Sequence, residues 1–126
     1  MRLLLDTHVV LWELGGTRTV GPGAQEALER ATELLFSVVS FAEIGVKAAV
    51  GKLVVPRDIH EHITRTGIRI LDLTPSHGLG VAELPMHHRD PFDRLLVSQA
   101  RSEGLTVLTA DPRIAEYDVS TLDAAS

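Results

Sequence analysis

The sequence predicts an α/β fold with a mostly parallel sheet between layers of helices. Three observations indicate this class. Short apolar runs suited to buried strands alternate with stretches of helical periodicity, glycine and proline separate these segments regularly, and no internal repeat or low-complexity linker interrupts the pattern. Strands that alternate with helices are joined by right-handed crossovers, which cover both faces of a parallel sheet. We therefore expect a single domain over residues 1–126.

The first half of the sequence contains two short apolar runs that predict strands, and the first run is too short for a helix. They are residues 2–5 and 35–39. Glycine and proline mark the expected helices. These are a short helix that ends at Gly15-Gly16, a helix opened by Gly21-Pro22, a helix over residues 40–50 stopped by Gly51, and a helix over residues 56–66 ended by Gly67.

The second half predicts a more regular alternation of strands and helices. Strands are expected at residues 68–73 and 105–109, with an edge strand at residues 119–122. Each expected helix begins at a capping residue followed by proline. These helices are opened by Thr74-Pro75 and continued through Leu84, opened by Asp90-Pro91 and stopped by Gly104, and opened by Asp111-Pro112.

Composition and charge narrow the class of protein. The apolar content of 44% and charged content of 23% are typical of globular domains. Because the chain has no cysteine, disulfides, zinc–thiolate sites and cysteine catalysis are excluded. Asp6 interrupts the apolar N-terminus, and Glu43 and Lys47 interrupt the longest apolar stretch. We therefore expect no signal peptide and no membrane span, and hence a soluble cytoplasmic protein.

Acidic residues follow the predicted strands at one edge of the sheet. Asp6 ends the first strand, Asp111 follows the strand that ends at Thr109, and Glu43 is expected in the first turn after the second strand. Asp93 reaches this edge if its helix begins there. Since like charges repel, such a cluster predicts a bound cation. Oxygen ligands favour Mg²⁺, with Mn²⁺ as a substitute, and such ions promote attack of water on a phosphodiester.

Each of these acids also has a structural interpretation. Ser40 and Glu43 have the spacing of a capping box. Asp90 and Asp111 precede proline as helix N-caps do, and Asp93 occupies an early helical position that the helix dipole favours. The net charge of −5 also argues against a protein with one broad basic face for nucleic acid.

Four motifs occur in order along almost the whole chain. They are Leu4–His8 (LLDTH), Ser40–Ile44 (SFAEI), Arg89–Leu96 (RDPFDRLL) and Leu108–Asp111 (LTAD). Together they resemble PIN-domain proteins, and especially the VapC-type toxins of bacterial type II toxin–antitoxin systems. The resemblance implies a three-layer α/β/α sandwich and a magnesium-dependent endoribonuclease acting on RNA. It also implies a homodimer and a cognate antitoxin partner. The apolar side chains of Leu53, Val54 and Val55, which we expect a small domain to leave partly uncovered, support the dimer.

The resemblance also assigns site residues. The acidic metal and catalytic site would consist of Asp6, Glu43, Asp93 and Asp111, with Asp90 left as a helix cap. Hydroxyls beside these acids are expected to orient carboxylates or water, and belong to Thr7, Ser40 and Thr109. Weaker candidates for contact with the RNA backbone are Lys47, Arg89, Arg94 and Arg113. One departure from the family pattern is Phe41, where relatives often have tryptophan.

The sequence also bears on the roles of four histidines, and it leaves two alternative functions open. Adjacent His87 and His88 are expected to point apart, and with His77 they do not form a set typical of zinc. His8, close to Asp6, is expected to have a supporting polar role. The alternative functions are a catalytically silent RNA-binding PIN module and a metal-dependent phosphatase or phosphoacceptor domain.

Overall fold

The computed structural model describes residues 1–16 and 18–126. Its strands are β1 (Arg2–Leu5), β2 (Glu33–Ser37), β3 (Arg69–Leu71), β4 (Thr106–Thr109) and β5 (Thr121–Asp123). They form one five-stranded sheet in the order β3-β2-β1-β4-β5, and every neighbouring pair is parallel. The predicted α/β class is confirmed, and the last strand lies at an edge as expected.

Seven α-helices and one 3₁₀ turn connect the strands over the described ranges. They are α1 (Thr7–Gly15), α2 (Pro22–Arg30), α3 (Val38–Ala49), α4 (Ile59–Arg65), α5 (Pro75–Gly80), the 3₁₀ turn Val81–Glu83, α6 (Pro91–Glu103) and α7 (Pro112–Ala115). None of the helices in these ranges is long and apolar enough to cross a membrane.

Successive residues of the central strand β1 supply two different cores. Leu3 and Leu5 pack in a cluster with the α4 residue Ile63, whereas Leu4 packs in a second cluster with the α6 residue Leu96. Alternate side chains of a strand point to opposite faces, so helices must cover both sides of the sheet. This is the three-layer arrangement that a continuous apolar strand requires.

The start of α3 differs from the prediction. Residues 35–39 were expected as strand because Val38 and Val39 favour extended backbone, but β2 ends at Ser37 and α3 begins at Val38. The Ser37 hydroxyl oxygen accepts a hydrogen bond from the Val39 amide at 3.0 Å and donates to Gln99 Oε1 at 2.6 Å. A cap anchored to a distant buried amide therefore outweighs strand propensity.

This shift changes the environment of Glu43. The cap of α3 is Ser37, so the prediction of a capping box between Ser40 and Glu43 is wrong. Glu43 lies in the second turn of α3, not the first. A glutamate at this position has no helix-capping role, and its burial needs another explanation.

Two further segments are shorter than predicted. The helix expected over residues 56–66 is only α4, because Ile59 and Ile63 are buried whereas residues 56–58 are exposed and the last two of them form a turn. A short helix is stabilised mainly by the apolar face that it buries, so it begins where burial begins. The strand expected over residues 68–73 is reduced to β3, and the helix expected through Leu84 ends in the 3₁₀ turn.

Candidate active site

Asp6 directly follows β1 and occupies the N-cap position of α1. Its backbone carbonyl accepts a hydrogen bond from the Val9 amide at 3.1 Å, but over the described ranges its side chain makes no capping bond. Instead, Thr109 Oγ1 donates to Asp6 Oδ2 at 2.8 Å. Asp6 Oδ1 is buried without a hydrogen-bond partner among the described residues. Because the Asp6 side chain makes no capping bond among the described residues, its Oδ1 is available to bind a ligand.

Glu43 is the second acid in this position. Its side chain is 1% exposed, and its Oε2 lies 2.6 Å from Lys47 Nζ one turn along α3. Its Oε1 is buried and has no hydrogen-bond partner among the described residues. In the part of the chain that the structure describes, Asp6 Oδ1 and Glu43 Oε1 are the buried side-chain polar atoms that lack a hydrogen bond. A buried polar atom without a partner costs about 1–3 kcal/mol, so two such oxygens at one edge point to a ligand.

Asp93 lies in the first turn of α6, behind a separate cap. Asp90 Oδ1 accepts hydrogen bonds from the Phe92 amide at 2.9 Å and the Asp93 amide at 3.2 Å, so the expectation that Asp90 caps this helix is confirmed. The Asp93 side chain is released from capping. It is 8% exposed, and its Oδ2 lies 3.3 Å from His88 Nε2.

The electrostatics link these three acids. Burial raises the pKa of Asp93 to about 6, and the negative charges of Asp90, Asp6 and Glu43 add to that rise against a smaller opposing effect of the His88 hydrogen bond. Burial also raises the pKa of Asp6; the Thr109 hydrogen bond opposes this rise, and the charge of Glu43 adds to it. Asp6, Glu43 and Asp93 therefore lie close enough to destabilise one another as anions.

Asp111 lies at the same edge in a different environment. It caps α7, as expected, by accepting a hydrogen bond from the Arg113 amide at 2.9 Å. The Arg113 guanidinium also binds both carboxylate oxygens, at 3.2 and 2.9 Å, and these hydrogen bonds lower the pKa of Asp111. The Asp111 amide donates to Thr109 Oγ1 at 3.0 Å, which joins it to the Asp6 side chain. Asp111 thus lies at the same edge of the sheet, but its carboxylate is already paired with the Arg113 guanidinium.

The carboxylate oxygens suit a hard divalent ion, although those of the described residues do not form a complete coordination site as they stand. Across residues 1–16 and 18–126, no three side chains of histidine, aspartate or glutamate converge closely enough to hold a metal as they stand. The two carboxylate oxygens without partners and the raised pKa of Asp93 are what such an ion would relieve. The chemistry of Asp6, Glu43 and Asp93 therefore fits a divalent cation, which these three residues would hold.

The predicted supporting hydroxyls behave differently from one another. Thr109 orients a carboxylate directly, through its bond to Asp6. Thr7 Oγ1 instead donates to Ser40 Oγ at 2.6 Å, and this buried bond joins α1 to α3. Thr7 and Ser40 therefore join α1, which directly follows Asp6, to α3, which carries Glu43.

Arg94 does not lie where the sequence analysis placed it. It was a candidate for contact with the RNA backbone, but it is buried, and its guanidinium donates to the carbonyls of Pro85, Val81 and Leu84 and to the hydroxyl of Tyr117. A guanidinium with four such bonds is a structural anchor, so its expected role does not fit this placement. The sequence offers no signal for this burial, since arginine in an amphipathic helix is normally exposed.

The other basic candidates remain accessible. Arg89 is exposed, whereas Lys47 and Arg113 are partly committed to Glu43 and Asp111. A cavity of about 370 Å³ opens beside Glu43 and is bordered by His8, Lys47 and Lys52. Lys52 was not among the predicted site residues.

Sequence reasoning also missed His88. Its Nε2 faces Asp93 and its Nδ1 lies 2.9 Å from the Tyr117 hydroxyl, whereas the ring of His87 packs edge-on against Tyr117 at 4.8 Å. The rings of both neighbours therefore lie against Tyr117, at centroid distances of 4.8 and 5.5 Å, so the expectation that they point apart is wrong. His77 has a structural role, because it forms a capping box with Thr74 at the start of α5. The available signal for His88 was its position just before the acidic α6 motif.

With this geometry in view, comparison with known proteins identifies the family. Residues 3–120 match the PIN domain family. The chain belongs to the PIN-domain family. The predicted resemblance and the α/β/α sandwich are thereby confirmed. This PIN-domain chain is 28% identical over 123 residues to ribonuclease VapC22 of Mycobacterium tuberculosis, with 91% of each sequence covered.

Solved structures share the PIN fold at low sequence identity. VapBC-1 from nontypeable Haemophilus influenzae aligns with a TM-score of 0.71 at 16% identity over 100% of both chains. DNA-bound VapBC from Salmonella typhimurium aligns with a TM-score of 0.70 at 17% identity over 98% of both chains. At these identities the likeness concerns the fold.

Proposed function

We propose that this PIN-domain protein is a metal-dependent endoribonuclease and the toxin of a type II toxin–antitoxin system. Family membership and the similarity to ribonuclease VapC22 support the reaction class. The observation that carries the proposal is the pair of buried carboxylate oxygens, on Asp6 and Glu43, that have no hydrogen-bond partner in the described part of the chain. Hydrolysis of RNA by a metal-activated water needs such an acidic cluster and no nucleophilic side chain.

Asp6, Glu43 and Asp93 would hold the metal. Their all-oxygen chemistry favours Mg²⁺, with Mn²⁺ as a substitute. When bound, the ion supplies Lewis acidity for in-line hydrolysis of a phosphodiester. Asp111 would take part from the margin, through the Thr109 hydroxyl that its amide shares with Asp6.

The remaining residues prepare the site for this chemistry. Thr109 holds one oxygen of Asp6 and leaves the other for the ion. Lys47 does the same for Glu43. We propose that Lys47, Arg89 and Arg113 receive the RNA backbone, since cations beside an acidic site reduce its repulsion of phosphates. Such contacts would reconcile RNA binding with the net charge of −5.

The antitoxin partner and the homodimer are part of the same proposal. The structures of similar fold include toxin–antitoxin complexes by name, among them one from Klebsiella pneumoniae aligned at 14% identity. The segment after α3 offers contact area, because Val54 is 96% exposed between the half-buried Leu53 and Val55. We expect size-exclusion chromatography with light scattering to give a dimer mass, and Val54→Asp to shift it toward the monomer.

An RNA cleavage assay tests the proposed activity. Purified protein free of antitoxin is incubated with a mixed RNA substrate in Mg²⁺ or in chelator. We expect cleavage only with Mg²⁺, and we expect Asp6→Asn, Glu43→Gln and Asp93→Asn to abolish it while circular dichroism stays unchanged. The matched control is Asp90→Asn, which removes a neighbouring charge but keeps the cap of α6 and should still cleave.

Other outcomes would point to the alternative functions. RNA binding without cleavage in Mg²⁺ or Mn²⁺ would favour a silent RNA-binding module. Hydrolysis of a phosphomonoester such as p-nitrophenyl phosphate, with RNA left intact, would favour a phosphatase. Full RNase activity in all three acid variants would refute the acidic site.

A further inference from the structure

A buried chain of polar groups runs from α6 through Tyr117 back to Asp93. Arg94 Nη1 lies 3.0 Å from the Tyr117 hydroxyl, which lies 2.9 Å from His88 Nδ1. His88 Nε2 in turn lies 3.3 Å from Asp93 Oδ2. The side chain of His88 is 6% exposed, and Tyr117 and Arg94 are also buried. Water therefore contributes little to the choice of donor and acceptor along this chain.

The two end groups favour one direction along this network of polar groups, because the Arg94 guanidinium can only donate and an ionised Asp93 carboxylate can only accept. A guanidinium has donors and no acceptor, so the Tyr117 oxygen accepts from Arg94. The single hydroxyl hydrogen of Tyr117 is then free to be donated to His88 Nδ1. A neutral imidazole that accepts at Nδ1 carries its hydrogen at Nε2, the atom that faces the Asp93 carboxylate.

The Arg94 end of this network of polar groups is held by backbone carbonyls. Arg94 also donates to the carbonyls of Pro85, Val81 and Leu84, in and after the 3₁₀ turn that precedes α6. The guanidinium is therefore held by backbone on one side and orients the Tyr117 hydroxyl on the other. A rotation of the His88 ring would break bonds at both of its nitrogens.

We infer that His88 is a positioning residue that holds one oxygen of Asp93, and that Tyr117 and Arg94 select the ring nitrogen that donates to it. A carboxylate held through one oxygen keeps the other for a ligand, as Thr109 achieves for Asp6 and Lys47 for Glu43. This inference rests on the proposed function, because it assigns Asp93 to the metal site. It also explains why Arg94, an RNA candidate by sequence, is buried.

The tautomer of His88 is the first test, and it needs no metal. A long-range ¹H–¹⁵N spectrum of the metal-free protein should show His88 with its hydrogen on Nε2. In Tyr117→Phe, which keeps the ring and loses the hydroxyl, the signal should shift toward a mixture of tautomers. A wild-type His88 with its hydrogen on Nδ1 would overturn the inference.

Metal affinity is the second test. Isothermal titration with Mn²⁺ should show binding weakened at least about tenfold in Tyr117→Phe and His88→Ala, the usual effect of losing an outer partner of a ligand. His88→Gln keeps an N–H donor at a similar reach and should recover most of the affinity. The matched control is His87→Ala, because His87 packs on the same tyrosine and makes no hydrogen bond to Asp93 among the described residues. This variant should leave the affinity unchanged.

The outcomes separate this inference from the proposed function. If wild type binds Mn²⁺ and both Tyr117→Phe and His88→Ala bind it equally well, the network is structural only and the inference fails alone. If wild type binds no Mn²⁺ at all, the proposed metal site fails and the inference with it. Should His88→Ala not fold, the comparison of wild type, Tyr117→Phe and His88→Gln still decides.

Discussion

At the scale of single residues, aspartates at helix starts have different roles because their neighbours differ. Asp90 accepts two backbone amides of α6, and Asp111 is paired with Arg113. Asp6 also stands at a helix start, but its side chain makes no capping bond among the described residues, and Asp93 is buried near other negative charges. Sequence position alone makes all four alike, so burial and partners distinguish structural acids from candidate ligands.

The raised pKa of Asp93 predicts how its replacement affects stability. Its folded pKa of about 6 exceeds the ordinary value of 3.8, so the folded state binds more protons in this range. Wild-type stability therefore falls as pH rises from about 4, with the full penalty reached above about pH 6. In chelator, we expect Asp93→Asn to be more stable than wild type at pH 8, by on the order of 2 kcal/mol.

Urea unfolding across the same pH range measures this difference. The advantage of Asp93→Asn should vanish below about pH 4, where the wild-type carboxyl is protonated in both states. Mg²⁺ should reverse the ranking at pH 8, because a ligand that binds only the folded wild type stabilises it by mass action. An Asp93→Asn protein that is less stable than wild type at pH 8 in chelator would show that the carboxylate is stabilising.

At the scale of elements, the helix starts organise the site. α3 begins at the cap of Ser37, which places Glu43 in the second turn, and α6 begins at the cap of Asp90, which places Asp93 in the first. In both helices a separate residue satisfies the free amides. The candidate ligands Glu43 and Asp93 are therefore not used as caps, and they lie close enough for their charges to interact.

The cap of α6 predicts a contrast between two substitutions of Asp90. Asp90→Ala removes the acceptor for two amides and should lower the free energy of unfolding by about 1 kcal/mol. Asp90→Asn keeps an acceptor and should unfold near the wild-type denaturant midpoint, since it also removes a charge that repels Asp93. Equal destabilisation of both variants would mean that charge, not capping, is what α6 requires.

At the scale of the whole molecule, the C-terminal residues pack onto the start of α2. The Gly21 amide donates to the Ala124 carbonyl at 2.9 Å, and the Gly23 amide donates to the Ser126 carbonyl at 3.0 Å. A Cβ atom at Gly21 would collide with the backbone of Ala125 and Ser126. Gly21 is therefore needed for close approach of two distant segments, beyond any role in opening the helix.

This contact predicts that Gly21→Ala destabilises the protein. The added methyl must displace backbone, and overpacking of this kind costs roughly 1–3 kcal/mol. The matched control is Gly45→Ala in α3, where a Cβ atom meets nothing within 4 Å. Alanine there should be neutral or stabilising by up to about 1 kcal/mol, because glycine weakens a helix interior. Thermal unfolding compares the two, and an unchanged midpoint in Gly21→Ala would contradict the contact.

The order of the strands and helices, and the acids that are candidates for the site, could be predicted from local signals in the sequence. These signals are local: apolar runs, proline after a capping residue, and glycine with positive φ at Gly51, Gly67 and Gly104. They act within a turn or two of the chain, so they survive without knowledge of the fold. The parallel sheet then follows from their alternation.

The partner of each buried polar group could not be predicted in this way. Ser37 caps α3 while bonded to Gln99, 62 residues away, and Thr109 holds Asp6 from 103 residues away. The burial of Arg94 and the contact of His88 with Tyr117 likewise depend on segments that meet only after folding. Burial and partnership depend on neighbours in space, and residues distant in the chain supply those neighbours.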